Sequence, residues 1–486
     1  MRRATATVAL ILCAGCVARA PRIDGAPGAS PTPQAPWVPP AAVAREVGDR
    51  AQASSAAAAA ASSAASEPLS LTQIVDVALR NNPATRLAWS DARAAENAYG
   101  AERGSLLPAV TGSATLSRSR SPNTVNRGDR TQYTPSISLS YLVLDFGGRT
   151  GLIESARQTA IAADFTHNAA VQNTILDAEA AAFSYLATRA LRDAQRTAIN
   201  ESDANLAAAT ERHRVGLATI ADELQARTAR AQAELDLETL EGQFQTARGA
   251  LATAMGLPVT TSLELPGIET PDSAGVRAAT ATVDSIIQLA VRSRPDLAAA
   301  EADVARAAAD VRVARSAGLP SLSFVASGGY VGANPAINTG RTYALTFGLS
   351  VPIFSGFSHT YDVRAATARR DAADARAQLT RQQIAQQVFT AFYQLQTATE
   401  RVRTSATLLS SATESEQVAR GRYNEGVGSI VDLLIAQTAL ANARAQSIAA
   451  RWQWRIALAQ LAHDAGSLGP TGESVVPITG PAGNNR

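Results

Sequence analysis

The residues best suited to chemistry are few and scattered. Cys13 and Cys16 form a C-x-x-C pair, the spacing of a redox couple or of half a zinc site. They are the two cysteines of a 486-residue chain, so no second pair completes a metal cluster and no disulfide scaffold runs through the body. His167, His213, His359 and His463 stand too far apart for zinc-ligand spacing. Asp145-Phe146-Gly147 has the letters of a kinase metal-binding triplet, but neither a glycine-rich loop nor a catalytic loop accompanies it. A Walker loop and a nucleophile elbow are both missing from the sequence. The expectation is a protein without catalytic residues, metal site or cofactor. What remains is positional: two glycine turns, the aspartates just past them, and one cysteine at an export boundary.

That boundary is the first element to place. Met1-Arg2-Arg3 is basic, Val8 to Leu12 is a short apolar core, and Ala14-Gly15-Cys16 follows. This reads as a bacterial signal peptide over 1–15, too short to cross a membrane as a helix. The Ala-Gly-Cys ending resembles a lipoprotein cleavage box, which makes Cys16 the acylated, palmitate-bearing first residue of the mature chain. One acyl chain holds a membrane only weakly, so it would assist another anchor. Residues 16–66 are Pro-, Ala- and Ser-rich and read as a linker.

Composition narrows the body. Hydrophobic residues are 46% but aromatics only 5%, and alanine supplies much of the apolar count. Long helices in close alanine-rich contact fit this better than one thick core. The 44 basic residues, all arginine, against 42 acidic ones give a net charge of +2, which argues against a nucleic-acid partner.

The body is written twice. One interval separates Asn82-Pro83 from Arg294-Pro295 and Leu107-Pro108 from Leu319-Pro320. An interval two residues shorter relates Tyr133 to Tyr343, Gly216 to Gly426, Asp222 to Asp432 and Gly256 to Gly466. The copies are expected over 67–258 and 284–468, with a linker at 259–283 and a flexible tail at 469–486. Each reads helix, strand, loop, strand, long helix, turn, helix. The opening helices are expected from Ser70, with Gln73 completing a capping box, to Gly104, and from Asp284 to Ala317. Tyr343, Leu345, Phe347, Leu349, Val351 and Ile353 alternate with small or polar residues, as do Tyr133 to Val143. Such alternation fits a membrane β-strand or a half-buried soluble hairpin; the export signal favours the membrane. Weaker strands are expected over Val110–Ser117 and Leu322–Tyr330.

The long helices are expected over Thr150–Arg214 and Ser358–Asn424, each about 100 Å at 1.5 Å per residue. Val388, Leu395, Val402 and Leu409 recur every seventh residue, with Ala391, Ala398, Ser405 and Ala412 three after each, a seam of large against small. In the first copy Phe165, Leu176, Phe183 and Leu186 share a face. Each long helix stops at a glycine turn and returns, over Ile220–Met255 and Ile430–Ala465. The turns read either as ordinary helical hairpins or as docking tips. Four strands cannot close a barrel, and open edges are not tolerated in lipid, so copies must pool strands.

On these residues the chain resembles the TolC-like outer-membrane factors, in the lipidated branch found with efflux pumps. The resemblance covers Leu69 to Leu468. It is carried by the duplicated Asn82-Pro83 and Leu107-Pro108 markers and by Leu144-Asp145-Phe146-Gly147-Gly148-Arg149. Pro352-Ile353-Phe354-Ser355-Gly356 carries it in the second copy, with Val215-Gly216-Leu217 and Asp222, Arg422-Tyr423 and Gly426, and Asp432-Leu433-Leu434. It implies a mostly α fold with a membrane β-barrel part: a homotrimer with a twelve-stranded barrel and a coiled-coil helical tunnel across the periplasm of a Gram-negative bacterium. It implies a periplasmic membrane-fusion adaptor and an inner-membrane pump as partners. Adaptor contact transfers to Val215, Gly216, Leu217, Ala218 and Thr219 and to Gly426, Val427, Gly428 and Ser429. Many relatives carry an aspartate where this chain has Ile435, so an apolar constriction beside Asp222 and Asp432 is expected at the periplasmic mouth. Both aspartates also suit plain pairing with a helix N-terminus. The expected function is a passive efflux conduit. A protein-secretion duct and a periplasmic coiled-coil spacer without a pore are the alternatives.

Overall fold

The chain is described from a computed structural model covering residues 69–120, 129–266, 282–334, 336 and 339–468. The expected signal peptide, Cys16, the 16–66 linker, the 469–486 tail and most of the 259–283 linker lie outside the described residues.

Ser70 opens the first helix, α1 (Leu71–Asn81), with the reciprocal bonds of a capping box: the Gln73 amide donates to Ser70 Oγ at 3.3 Å, and the Ser70 amide to Gln73 Oε1 at 2.8 Å. The expected unbroken run to Gly104 does not form. Asn82 turns out to ψ 125° and caps a second helix, α2 (Pro83–Gly104), which starts at Pro83. Proline has no amide for the preceding turn, and its ring pushes the residue before it out of helical geometry. The same break recurs at Arg294-Pro295, between α5 (Val283–Ser293) and α6 (Pro295–Ser316).

The long helices α3 (Gly148–Arg214) and α7 (Ser358–Asn424) are both 67 residues, and the returning α4 (Ile220–Ala254) and α8 (Ile430–Asp464) are both 35. With α1 and α5 equal, and α2 and α6 equal, the two copies match element for element. The seven-residue seam of α7 is packed as expected. Val388, Leu395 and Val402 are buried, with Ala391, Ala398, Ser405 and Ala412 beside them. In α3, Phe183 and Leu186 are buried and Leu176 packs on both main cores.

Strands β1 (Ala109–Arg120), β2 (Asp129–Leu144), β3 (Ser321–Asn334) and β4 (Gly340–Ser350) form one antiparallel sheet in that order. β2 pairs with β3, so the sheet crosses from one copy to the other. The expected run of β4 to Ile353 stops at Ser350, before Pro352, which has no amide to give a ladder. The helices follow the strand order: α2, α3, α6 and α7 lie side by side, α4 packs on α3, and α8 packs on α3 and α7. The two main cores form where α1 and α5 cross the middles of α3 and α7.

The proline breaks are gripped by the ends of α4 and α8. Asn82 Nδ2 donates to the Ala254 carbonyl at 3.1 Å, and Ser293 Oγ to that of Ala465 at 2.8 Å. Gly256 and Gly466, both at φ +69°, sit against the breaks; a Cβ on Gly256 would lie 2.6 Å from the Asn81 carbonyl carbon.

Candidate functional site: helical tips and an apolar sheet face

Both tips are built by the same backbone device. In the first, the Leu217 amide reaches back to the Arg212 carbonyl at 2.8 Å and Gly216 to His213 at 2.9 Å, with Gly216 at φ +79°. In the second, Val427 bonds Arg422 at 3.0 Å and Gly426 bonds Tyr423 at 3.1 Å. These paired bonds satisfy the orphan carbonyls at a helix end and need a left-handed residue, which glycine adopts without strain.

The residues after the glycines differ. Thr219 and Asp222 close a full capping box, in which the Thr219 amide and hydroxyl both donate to Asp222 Oδ2, at 2.8 and 2.9 Å. Ser429 caps one way only, accepting from the Asp432 amide at 3.1 Å. Asp222 is therefore committed to its own turn, whereas the Asp432 carboxylate does not bond back to its cap. Val215, Leu217 and Val427 are exposed at the tips, as are Val431 and Ile435 on the α8 face that follows. A groove of ≈ 770 Å³ between α4 and α8 is lined by Leu224, Thr228, Val431, Leu434, Ile435 and Thr438.

The tips stand together. Arg212 Nη2 donates to the Asn424 carbonyl at 3.0 Å, and beneath them Ala209, Ala226, Tyr423, Ile430 and Leu433 form a small core. Higher up, Asn205 of α3 donates to Gln437 of α8 at 2.5 Å and Arg444 pairs with Glu201 at 3.1 Å. His213, at 2.8 Å from Glu223, ties the first hairpin to itself.

Two clusters escaped sequence reasoning. Where α5 meets α6, buried Arg294 pairs with Asp296 at 2.6 Å and with buried Asp464 at 3.5 Å; His463 bridges Asp464 and Asn173 at 2.9 and 2.8 Å. The arginine standing where the first copy has Asn82 was the available signal. In α3, Glu179 is 3% exposed, with Oε1 lacking a hydrogen-bond partner, and burial pushes its carboxyl up to about 7. One glutamate among alanines marks no burial without the neighbouring helices.

The sheet carries the other site. Register aligns Val110, Leu139, Ala326 and Leu345 in one row across the four strands. Tyr141, Phe324 and Phe347 form another, with the two phenylalanine rings 4.7 Å apart. Tyr343, Leu345, Phe347 and Leu349 are 68–88% exposed, and Val110, Leu116 and Ile137 more than half exposed. One face is thus apolar from the helix-proximal end to the tyrosines Tyr133 and Tyr330, and the other is mostly small and polar, rich in Ser and Thr. β1 and β4 each leave an unpaired edge. Among the described residues no helix is long and apolar enough to cross a membrane.

Similarity to known proteins follows the same two-copy plan. The family described as "Outer membrane efflux protein" matches residues 74–257 and 286–467. Protein CyaE of Bordetella pertussis is 26% identical over 411 residues, spanning 83% of this chain and 85% of its own. Outer membrane protein OprJ of Pseudomonas aeruginosa is 28% identical over 421 residues, spanning 84% and 86%. The crystal structure of a membrane protein from Pseudomonas aeruginosa superposes with a TM-score of 0.74 at 26% identity, covering 82% of this chain and 93% of that one. With a family match over both copies and this fold beneath it, the chain belongs to the outer membrane efflux protein family and is an efflux channel of the outer membrane.

Proposed function

We propose that three copies close into a passive duct, their twelve strands forming a barrel through the outer membrane and their helices a tube below it. The observation that carries this reading is the sheet, apolar over most of one face yet open at β1 and β4. Open edges are not stable in lipid, so the copies pair edge to edge. Eight pooled strands would be filled by their own side chains, whereas twelve leave a lumen. A tube has no energy source, so direction comes from an inner-membrane pump coupled through a periplasmic adaptor. Exposed Val215, Leu217 and Val427 support Val215–Thr219 and Gly426–Ser429 as the adaptor contact. Ile435 narrows the periplasmic mouth by apolar contact, beside Asp222 and Asp432. Cys16 carries the lipid that supplements the barrel anchor. Residues 67–258 and 284–468 are the two working copies.

The test is imaging of the detergent-extracted outer-membrane protein, followed by drug and metal export assays in a deletion strain. Threefold end views and side views with a rod more than about 100 Å long are expected. Soluble rods without a barrel would overturn the duct. Unchanged drug and metal tolerance with loss of a secreted protein would replace efflux by secretion.

A further inference from the structure

The outward face of the sheet is not uniform along its length. From its helix-proximal end to its middle it carries Val110, Leu139, Phe324, Phe347 and Leu349, with no charge. At the far end the same face changes character. Arg118 and Arg120 continue the alternation of Val110 and Leu116 on β1, and Arg341 continues that of Tyr343 and Leu345 on β4. Their partners in register keep them on that face: Arg118 stands opposite Thr131, Arg120 opposite Asp129, and Arg341 opposite Tyr330. The side chains of Arg118 and Arg120 are 71% and 81% exposed, and Arg341 is exposed too. Asp129 accepts a hydrogen bond from Arg118 and lies 3.8 Å from Arg120, leaving positive charge in excess. Tyr133 and Tyr330, with ring centroids 6.2 Å apart, mark the border between the apolar band and the arginines.

The level of these arginines is fixed by the strands. Ala109 to Arg118 and Arg341 to Ser350 are strand runs of equal length. At about 3.4 Å per residue and a tilt of roughly 40°, such a run rises on the order of 25 Å, the height of the apolar band of an outer-membrane barrel. With the helices on the periplasmic side, the arginines stand at the outer-leaflet headgroups. They also lie on the two edge strands, so joining β4 of one copy to β1 of the next brings Arg341 and the Arg118–Arg120 pair to adjoining strands.

We propose that this junction binds a phosphorylated glycolipid of the outer leaflet, with Arg118 and Arg120 of one copy and Arg341 of the next holding its phosphates. Guanidinium groups pair with phosphate through two parallel hydrogen bonds, and tyrosine rings suit the border between acyl chains and headgroups. The acyl chains lie along the apolar rows below. The site rests on the barrel reading above, since it forms only where copies join.

The test uses the full-length protein purified from outer membranes, with its assembly and membrane fraction checked first; a soluble, unassembled chain would overturn the barrel reading itself. The probes are lipid A bearing both phosphates, lipid A stripped of them, and inorganic phosphate, read by native mass spectrometry. The assembled protein is expected to retain phosphorylated lipid A. Arg118→Gln with Arg120→Gln and Arg341→Gln is expected to weaken retention roughly tenfold or more. If that variant does not assemble, Asp129→Asn removes the competing carboxylate and is expected to strengthen retention. Equal retention of stripped and phosphorylated lipid A, equal retention by wild type and the arginine variant, or no change with Asp129→Asn would each overturn the proposal. Full displacement by millimolar inorganic phosphate would overturn the lipid assignment in favour of a simple anion site.

Discussion

The Arg212 guanidinium lies 4.3 Å from the centroid of the Tyr423 ring, joining the last turn of one long helix to the last turn of the other. Tyr423 is buried and its hydroxyl has no hydrogen-bond partner, so the ring contributes as an apolar and cation-binding surface. The two tips are therefore packed against each other as well as closed within their own hairpins. Arg212→Ala is expected to remove about 1–2 kcal/mol of local stability, since the contact is partly desolvated. Hydrogen exchange should accelerate over 420–435 and leave the strands unchanged; equal acceleration everywhere would mean a global fold defect.

Depth along β4 sets the cost of a charge. Leu345 is mid-strand and Leu349 is one residue from its end, and both are about two-thirds exposed on the outward face. Leu345→Arg is expected to cost roughly 2–4 kcal/mol and Leu349→Arg about 0–1 kcal/mol, because the penalty falls towards the interface. Urea titration of the assembled protein in detergent or vesicles reads the difference. Equal costs would mean that the face does not meet lipid.

Glu179 gives stability a pH dependence of calculable sign. Its folded carboxyl releases the proton near 7, against about 4.5 when solvated, and burial is the cause. Between those values the folded chain binds more protons than the unfolded one, so this residue's contribution turns less favourable as pH rises. Glu179→Gln is expected to raise stability at pH 8 by up to about 3 kcal/mol and to change little at pH 4. Melting curves of both proteins at the two pH values check this; a gain of equal size at both would show that titration is not involved.

The paired glycines separate strain from crowding. Gly216 has φ +79° and open space around it, while Gly256 has φ +69° and backbone where a Cβ would stand. Gly216→Ala is expected to cost about 1–2 kcal/mol from conformation alone. Gly256→Ala adds overpacking of about 1–3 kcal/mol against the Asn81–Asn82 backbone. Gly466→Ala should follow Gly256→Ala, because a Cβ there would meet Ser293 Oγ at 2.8 Å. Thermal unfolding of the three variants ranks them.

Periodicity and punctuation make much of this molecule legible in its sequence. Glycine turns at 216 and 426, the seven-residue seam from Val388 and the two-residue alternation from Tyr343 each depend on near neighbours in the chain. Their physical causes, backbone strain and one-sided burial, are local. Periodicity alone reads one continuous helix through Pro83 and through Pro295, and the structure breaks both. Pro83 and Pro295 were visible, but a proline at the first position of a helix starts one as readily as it ends one. The grip of Ala254 on Asn82 and of Ala465 on Ser293 joins segments far apart in the chain.

What the amino-acid order determined alone was the inventory: two copies, four strands with one apolar face, helices of about 100 Å and tips closed by glycine. Only the tertiary structure decided which of these meet. It set the helices side by side in strand order, left β1 and β4 as the open edges among the described residues, buried Glu179 with its Oε1 unpaired there, and laid Arg212 on Tyr423. The reason is range. Propensity and periodicity act within a few residues, whereas burial and edge exposure depend on packing between helices and strands far apart in the chain.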